Sequence, residues 1–243
     1  MNLIKHAIMA IMLSLAARSA SSETLTGFNA YDLLLLEPKT YEVTGTFDTY
    51  EVYLNFGGID NFTRLRIGQY AQLRNFLQGS INNFRELKIN YGGSLTNDGT
   101  VINHDLLINN GGFLTNINTL TNNDTLLSYS RFRNFDRAVI TNNATLRSFD
   151  VLTNLSGGTL NNTSGALLEN GTDGSLENYG TLNNNEGATL ANNASLVNDG
   201  TLSNNGSLTN SKQLDNNGAL DNYRSLVNAW GGSLERNGPH YFR

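Results

Sequence analysis

The chain has 243 residues, a net charge of −5, 15% charged and 39% hydrophobic residues, two prolines and no cysteine. A disordered chain would carry more charge and fewer aliphatic residues, and without cysteine there is neither a disulfide framework nor a thiolate metal site. The mild acidity disfavours nucleic acid and anionic membranes as partners.

The first element is a leader. Lys5 and His6 precede an apolar run from Ala7 to Ala16, and small residues follow at Ala17, Ser19, Ala20 and Ser21. The run is too short to span a bilayer comfortably, and a cleavage-like region follows it. Residues 1–21 therefore read as a signal peptide, and the mature protein as secreted or held at a cell surface. No later segment is apolar enough to predict a transmembrane span.

Residues 22–58 have their own texture. Leu33-Leu34-Leu35-Leu36 is followed by alternation in Tyr41-Glu42-Val43-Thr44-Gly45-Thr46-Phe47 and in Tyr50-Glu51-Val52-Tyr53-Leu54. That alternation predicts short strands. A solenoid leaves an open core and unpaired strand edges at its ends, so this segment is expected to form an N-terminal β cap.

From 59 to 237 one phrase recurs: an aliphatic or aromatic anchor followed two positions later by Asn, as in Leu196-Val197-Asn198 and Leu202-Ser203-Asn204. Such a short period cannot build globular units, so each copy is one rung of a stack. The anchors run from Ile59 to Leu234, and nearly all are six or eight residues apart. Even spacing keeps the anchor on one side of an extended strand. On a helix, two extra residues would swing it by roughly 200°. The one odd step, Leu107 to Leu114, contains Gly111-Gly112, which a bulge could absorb. Taken in threes, the anchors repeat about every twenty residues: Ile59, Ile81, Val101, Leu120, Ile140, Leu160, Leu182, Leu202, Leu220. The predicted fold is all-β, a single-stranded parallel β-helix with three-sided coils. Residues 238–243 are left as a C-terminal tail.

The anchors should fill the interior. Asn shares the inward face or the corner, where stacked amides can hydrogen-bond from coil to coil. Ile67, Ile89, Ser128, Ser148 and Arg236 replace it. The residue before the anchor is often Ser or Thr and should point outward. It gives either a solvated surface or a hydroxyl array suited to sugar or ice, interrupted at Leu106, Phe113, Arg131, Val139, Val151 and Leu167.

Basic and aromatic residues cluster around Arg66, Tyr70, Arg74 and Lys88, and again around Arg131 and Arg133. They form either a solvated face that blocks sheet pairing or a patch for acidic glycans, with Tyr70 available to stack on a sugar. Catalysis has no comparable constellation. His6, His104 and His240 are far apart in the sequence, so no metal or cofactor is expected. Asp136 and Asp150, near the second Arg group, are the one place where a β-helix lyase or hydrolase could be imagined. Four sequons begin at Asn61, Asn123, Asn143 and Asn193.

The run Gly200-Thr201-Leu202-Ser203-Asn204-Asn205-Gly206-Ser207-Leu208-Thr209-Asn210 resembles the repeats of filamentous-haemagglutinin-like exoproteins and autotransporter passenger regions. The likeness covers about residues 59–234. It implies a right-handed β-helix, a hand that a coil of about twenty residues also favours, and a role in adhesion or surface structure. The expected function is a non-enzymatic adhesin-like or matrix scaffold; a glycan- or ice-binding module is the alternative. Its expected partners are cell-surface glycans, matrix polymers, or further copies of itself joined end to end or side by side.

Overall fold

The computed structural model describes residues 52–242, together with the backbone of five earlier strands: Glu23–Leu25, Asn29–Ala30, Leu34–Leu36, Thr40–Val43 and Thr46–Thr49. The leader expected over 1–21 lies outside the described residues. Every regular element among the described residues is a short strand, and no helix there is long and apolar enough to cross a membrane.

The strands wind through three parallel sheets in rotation. The first sheet runs from Glu23–Leu25 to His240–Phe242 and has twelve strands. The second, from Asn29–Ala30 to Ser225–Asn228, and the third, from Leu34–Leu36 to Ser233–Arg236, have eleven each. Each strand between the ends of its sheet pairs with the strands one coil below and one coil above. Ile59, Ile81, Val101, Leu120, Ile140 and Leu160 stand side by side in the first sheet. Leu182, Leu202 and Leu220 continue the row. The three-fold grouping of anchors is thus the coil itself, and each anchor from Ile59 to Leu234 has a strand of its own.

The strands expected before the repeats are present and enter the same stack. Tyr41 pairs with Ile59, Phe47 with Leu65 and Tyr53 with Leu73. At the other end His240–Phe242, within the expected tail, lies on Ala219–Asn222 as the top strand of the first sheet.

Steps of six leave two residues at a corner and steps of eight leave four. The odd step is absorbed at a corner rather than in a strand: Asn110-Gly111-Gly112 turns the chain, with Gly111 at φ 82, and Leu114 still registers with Leu95. A left-handed turn residue costs glycine nothing. The same site in two four-residue corners holds Tyr70 (φ 62) and Arg137 (φ 60), a strained choice for a side chain.

Within each strand the second and fourth residues face inward. The anchors from Leu87 to Leu220 are at most 2% exposed and form one continuous core. Burying each contributes roughly 1.5–3 kcal/mol. The asparagines lie at the corners, buried, and their amides form ladders up the rod. In the first sheet Asn61 donates from Nδ2 to Oδ1 of Asn83 at 2.6 Å, and Asn83 does the same to Asn103 at 2.7 Å. The chain of amides ends with Asn204 donating to Asn222. The other Nδ2 proton crosses the corner: that of Asn61 reaches the Glu86 carbonyl at 2.7 Å, at the start of the next strand one coil up. A second unbroken ladder climbs the third sheet from Asn55 to Asn216. The structure thus gives the repeated Asn a scaffolding role.

The second sheet is different. Ile67, Ile89, Ser128 and Ser148, four of the five Asn replacements, stand in one column there. Its ladder is therefore broken into Asn109 with Ser128, and Asn170 through Asn192 and Asn210 to Asn228. Each piece begins on an Asn whose Oδ1 is buried without a donor, Asn109 and Asn170. The coil below supplies Ile89 to the first and Ser148 to the second, and neither can donate as an amide does.

Candidate functional site

With the repeated positions buried, what the rod offers to another molecule is its outward first and third strand positions and its corners. The six residues expected to form a patch divide between two faces. Arg66 and Lys88 are outward neighbours on the second sheet, beside the corner that carries Tyr70. Arg74 and Arg133 lie on the third sheet, with Arg74 three strands below Arg133, and Arg131 immediately precedes Phe132–Asn134, the strand of Arg133.

Most of the cations already have partners. Glu86 faces Arg64 at 3.3 Å and Arg66 at 3.7 Å. Arg74 meets Asp98 at 2.6 Å and lies 4.9 Å from the centre of the Phe76 ring. Arg131 stands 5.9 Å from the centre of the Phe113 ring. Lys88 and Arg133 have no ion pair among the described residues. Exposed pairs of this kind contribute little stability, about 0–1 kcal/mol each.

Tyr70 does protrude, as a stacking role requires, and is 70% exposed. Its ring lies across Gly92 of the next coil, where an added Cβ would come within 2.8 Å of it. Tyr91 lies against Gly111 in the same way. Glycine at these corners makes room for the ring below as well as the turn.

A second aromatic feature was not singled out from the sequence. Phe62, Phe84 and His104 stack at the corner between the first and second sheets, with centroids 4.9 and 4.7 Å apart and planes within 5°. Each directly follows a ladder Asn (Asn61, Asn83, Asn103), so the signal was a fixed offset in consecutive coils. Beside the stack runs an open groove of about 620 Å3 bordered by Phe62, Arg64, Arg85, Glu86 and Asp105. Higher on the same corner the rings give way to a polar column, in which Asn143 donates to Asn123 and Thr163 donates to Asn143.

The Ser/Thr positions also separate by face. Of the six expected interruptions only Val139 falls on the first sheet; Leu106 and Leu167 are on the second, Phe113 and Val151 on the third, and Arg131 just before a strand of the third. One outward row of the first sheet is Ser80, Thr100, Thr119, Val139, Thr159, Thr181 and Thr201. The parallel row is Asn82, Ile102, Thr121, Thr141, Asn161, Asn183 and Ser203. Across those seven strands no outward residue is charged, and all fourteen side chains are half-buried, so none stands proud of the face. The other two sheets at the same height carry Lys88, Arg147 and Glu169, and Arg133 and Glu177.

The aspartates considered for catalysis are separated. Asp150 lies at the corner entering the third sheet; Asp136 lies at the corner leaving it, 3.8 Å from the Arg137 guanidinium. The width of the sheet stands between them. Among the described residues, no group of three or more His, Asp or Glu side chains converges as metal ligands would. Of the sequons, Asn61 is buried inside its ladder, while Asn123 and Asn143 are exposed.

The chain matches no protein-family model, no curated protein and no solved structure. Its architecture, a three-sided parallel β-solenoid with interior asparagine ladders, therefore rests on its own register and hydrogen bonds.

Proposed function

We propose that this protein is a secreted or cell-surface, non-enzymatic β-solenoid scaffold with an adhesin-like role, of the kind its repeats suggest by their likeness to filamentous-haemagglutinin-like exoproteins and autotransporter passenger regions. One observation carries this reading: the repeated residues are spent on the interior. Anchors build the core and asparagines build the ladders, so repetition serves length and rigidity, and recognition is left to residues that vary from coil to coil.

The stretch from Phe62 to His104 favours glycans as the partner. The Phe62–Phe84–His104 stack offers a partly exposed aromatic column beside the Arg64–Arg85 groove, its inner ring faces packed on one another, and Tyr70 and Tyr91 offer two more exposed rings at the next corner. Sugar rings have apolar faces that pack on aromatic rings and hydroxyls that suit charged hydrogen-bonding partners. Purified mature protein should be retained by at least one member of a panel of immobilised neutral and acidic polysaccharides, with no shortening of the polymers. A Phe62→Ala/Phe84→Ala variant should lose that retention with its β-sheet spectrum unchanged. Polymer cleavage by the intact chain, or retention indifferent to both rings, would overturn the reading.

A further inference from the structure

We propose that the outward face of the first sheet, from Ser80 to Ser203, binds the surface of ice. This rests on the reading of the rod as a surface-binding scaffold and assigns one of its faces a particular solid.

The face is a lattice by construction. Parallel pairing in strict register sets its rows about 4.8 Å apart along the rod, and the two outward residues of each strand are about 6.6 Å apart across it. Seven strands extend it over roughly 29 Å. Hydroxyls and amides occupy twelve of its fourteen positions, Ile102 and Val139 being the exceptions. Such groups both donate and accept, as every lattice water does. The two exceptions are β-branched like Thr, and Val differs from Thr only in a methyl for the hydroxyl, so the contour is kept.

Chemistry narrows the partner. A charged surface would be matched by ions or a charged polymer, but this stretch carries no charge while both neighbouring sheets do. A small ligand needs concavity to bury most of its surface, and this face is flush. A sugar polymer would look for rings to stack on, yet those outward positions hold no aromatic residue; the exposed rings at this height stand at the corners or, as Phe113, on the third sheet. What remains is an extended, uncharged, periodic solid of hydrogen-bonding groups. The backing suits it. The core and two unbroken amide ladders hold the face in place, so little conformational entropy is lost on contact.

The test uses the full mature chain. Thermal hysteresis and the shape of a growing ice crystal are recorded for the wild type, for Thr159→Tyr and Thr181→Arg on the proposed face, and for Ser207→Tyr on the second sheet. Circular dichroism and melting verify the fold of each. The expected result is hysteresis and faceted crystals for the wild type and Ser207→Tyr, and loss of both for Thr159→Tyr and Thr181→Arg. A wild type without hysteresis or faceting overturns the proposal, and so does equal loss in all three variants. Retention on cellulose or chitin particles that Thr181→Arg abolishes, with no effect on ice, would reassign the face to a neutral polysaccharide. Ice activity that survives Phe62→Ala/Phe84→Ala while glycan retention is lost separates this inference from the glycan contact at the corner.

Discussion

Ser148 and Asn170 stand side by side in the second sheet, and Oδ1 of Asn170 is buried above a side chain that cannot reach it as an amide would. Elsewhere an Asn at the position of Ser148 donates upward at about 2.7 Å, as Asn170 itself does to Asn192. The Ser148 hydroxyl instead donates to the Asp150 carbonyl at 3.2 Å. A Ser128→Asn/Ser148→Asn double substitution should complete the ladder from Asn109 to Asn228 and stabilise the rod by about 1 kcal/mol, the net worth of a satisfied buried hydrogen bond. Ser148→Asn alone only moves the orphaned Oδ1 down one coil, above a Ser128 hydroxyl that donates to the Ser130 carbonyl. Chemical denaturation is the measurement. A midpoint that falls would mean that the column has no room for an amide there.

The opposite change is costly. Asn204 accepts from Asn184 at 2.7 Å, donates to Asn222, and donates across the corner to the Ser225 carbonyl at 2.8 Å. Asn204→Ala leaves those three groups without their partner inside the rod. Each unsatisfied buried group costs about 1–3 kcal/mol, less what water recovers, so a loss of about 2–4 kcal/mol is expected. An unchanged denaturation midpoint would refute the structural role of the ladder.

These two residues also mark what could be read in advance. The strands, their even spacing and the three-sided coil follow from periodicity, because a period of two on a strand leaves the anchors one place to go. The broken column in the second sheet was visible as five exceptions to the Asn rule, but only the stack gathers four of them on one face. The outward surface was hidden for the same reason. Read along the chain, Leu106, Phe113 and Arg131 interrupt the Ser/Thr rows; folded, they belong to two other faces, and the first sheet carries no outward charge between Asp60 and Asp221. The split of the Arg66 and Arg133 groups between sheets was likewise set by the coil, whereas sequence proximity had joined Arg66 to Arg74 across a corner.

Tyr179 provides a pH test of one such corner. Glu177 on the adjoining strand raises the pKa of its phenol above the usual 10.0, with burial and then Asp199 pushing the same way. A raised pKa in the folded state means that the folded rod holds the proton more tightly than the unfolded chain. Its contribution is therefore fully present below the ordinary tyrosine range and is lost as pH rises through the ionisation of the folded form. In the near-ultraviolet difference spectrum between wild type and Tyr179→Phe, the Tyr179 phenolate should appear later than that of a model tyrosine. Glu177→Gln should bring it earlier. No movement on removing Glu177 would show that the carboxylate is not the cause.

Arg137 offers the clearest separation of backbone from side chain. It holds φ 60 at the corner between Phe135 and Ala138, and its side chain is 92% exposed, with only an ion pair to Asp136. A left-handed conformation costs a residue with a Cβ roughly 1–2 kcal/mol, whereas the exposed pair contributes little. The equivalent corner one coil above uses Gly157 at φ 77. Arg137→Gly should therefore stabilise the protein, by about 0.5–1 kcal/mol once the greater freedom of glycine in the unfolded chain is set against the relief. Arg137→Ala, which removes the charge but keeps the Cβ, should leave stability nearly unchanged. If alanine gave the same gain, charge and not backbone strain would be the cause, and the left-handed corner would carry no cost for selection or design to relieve.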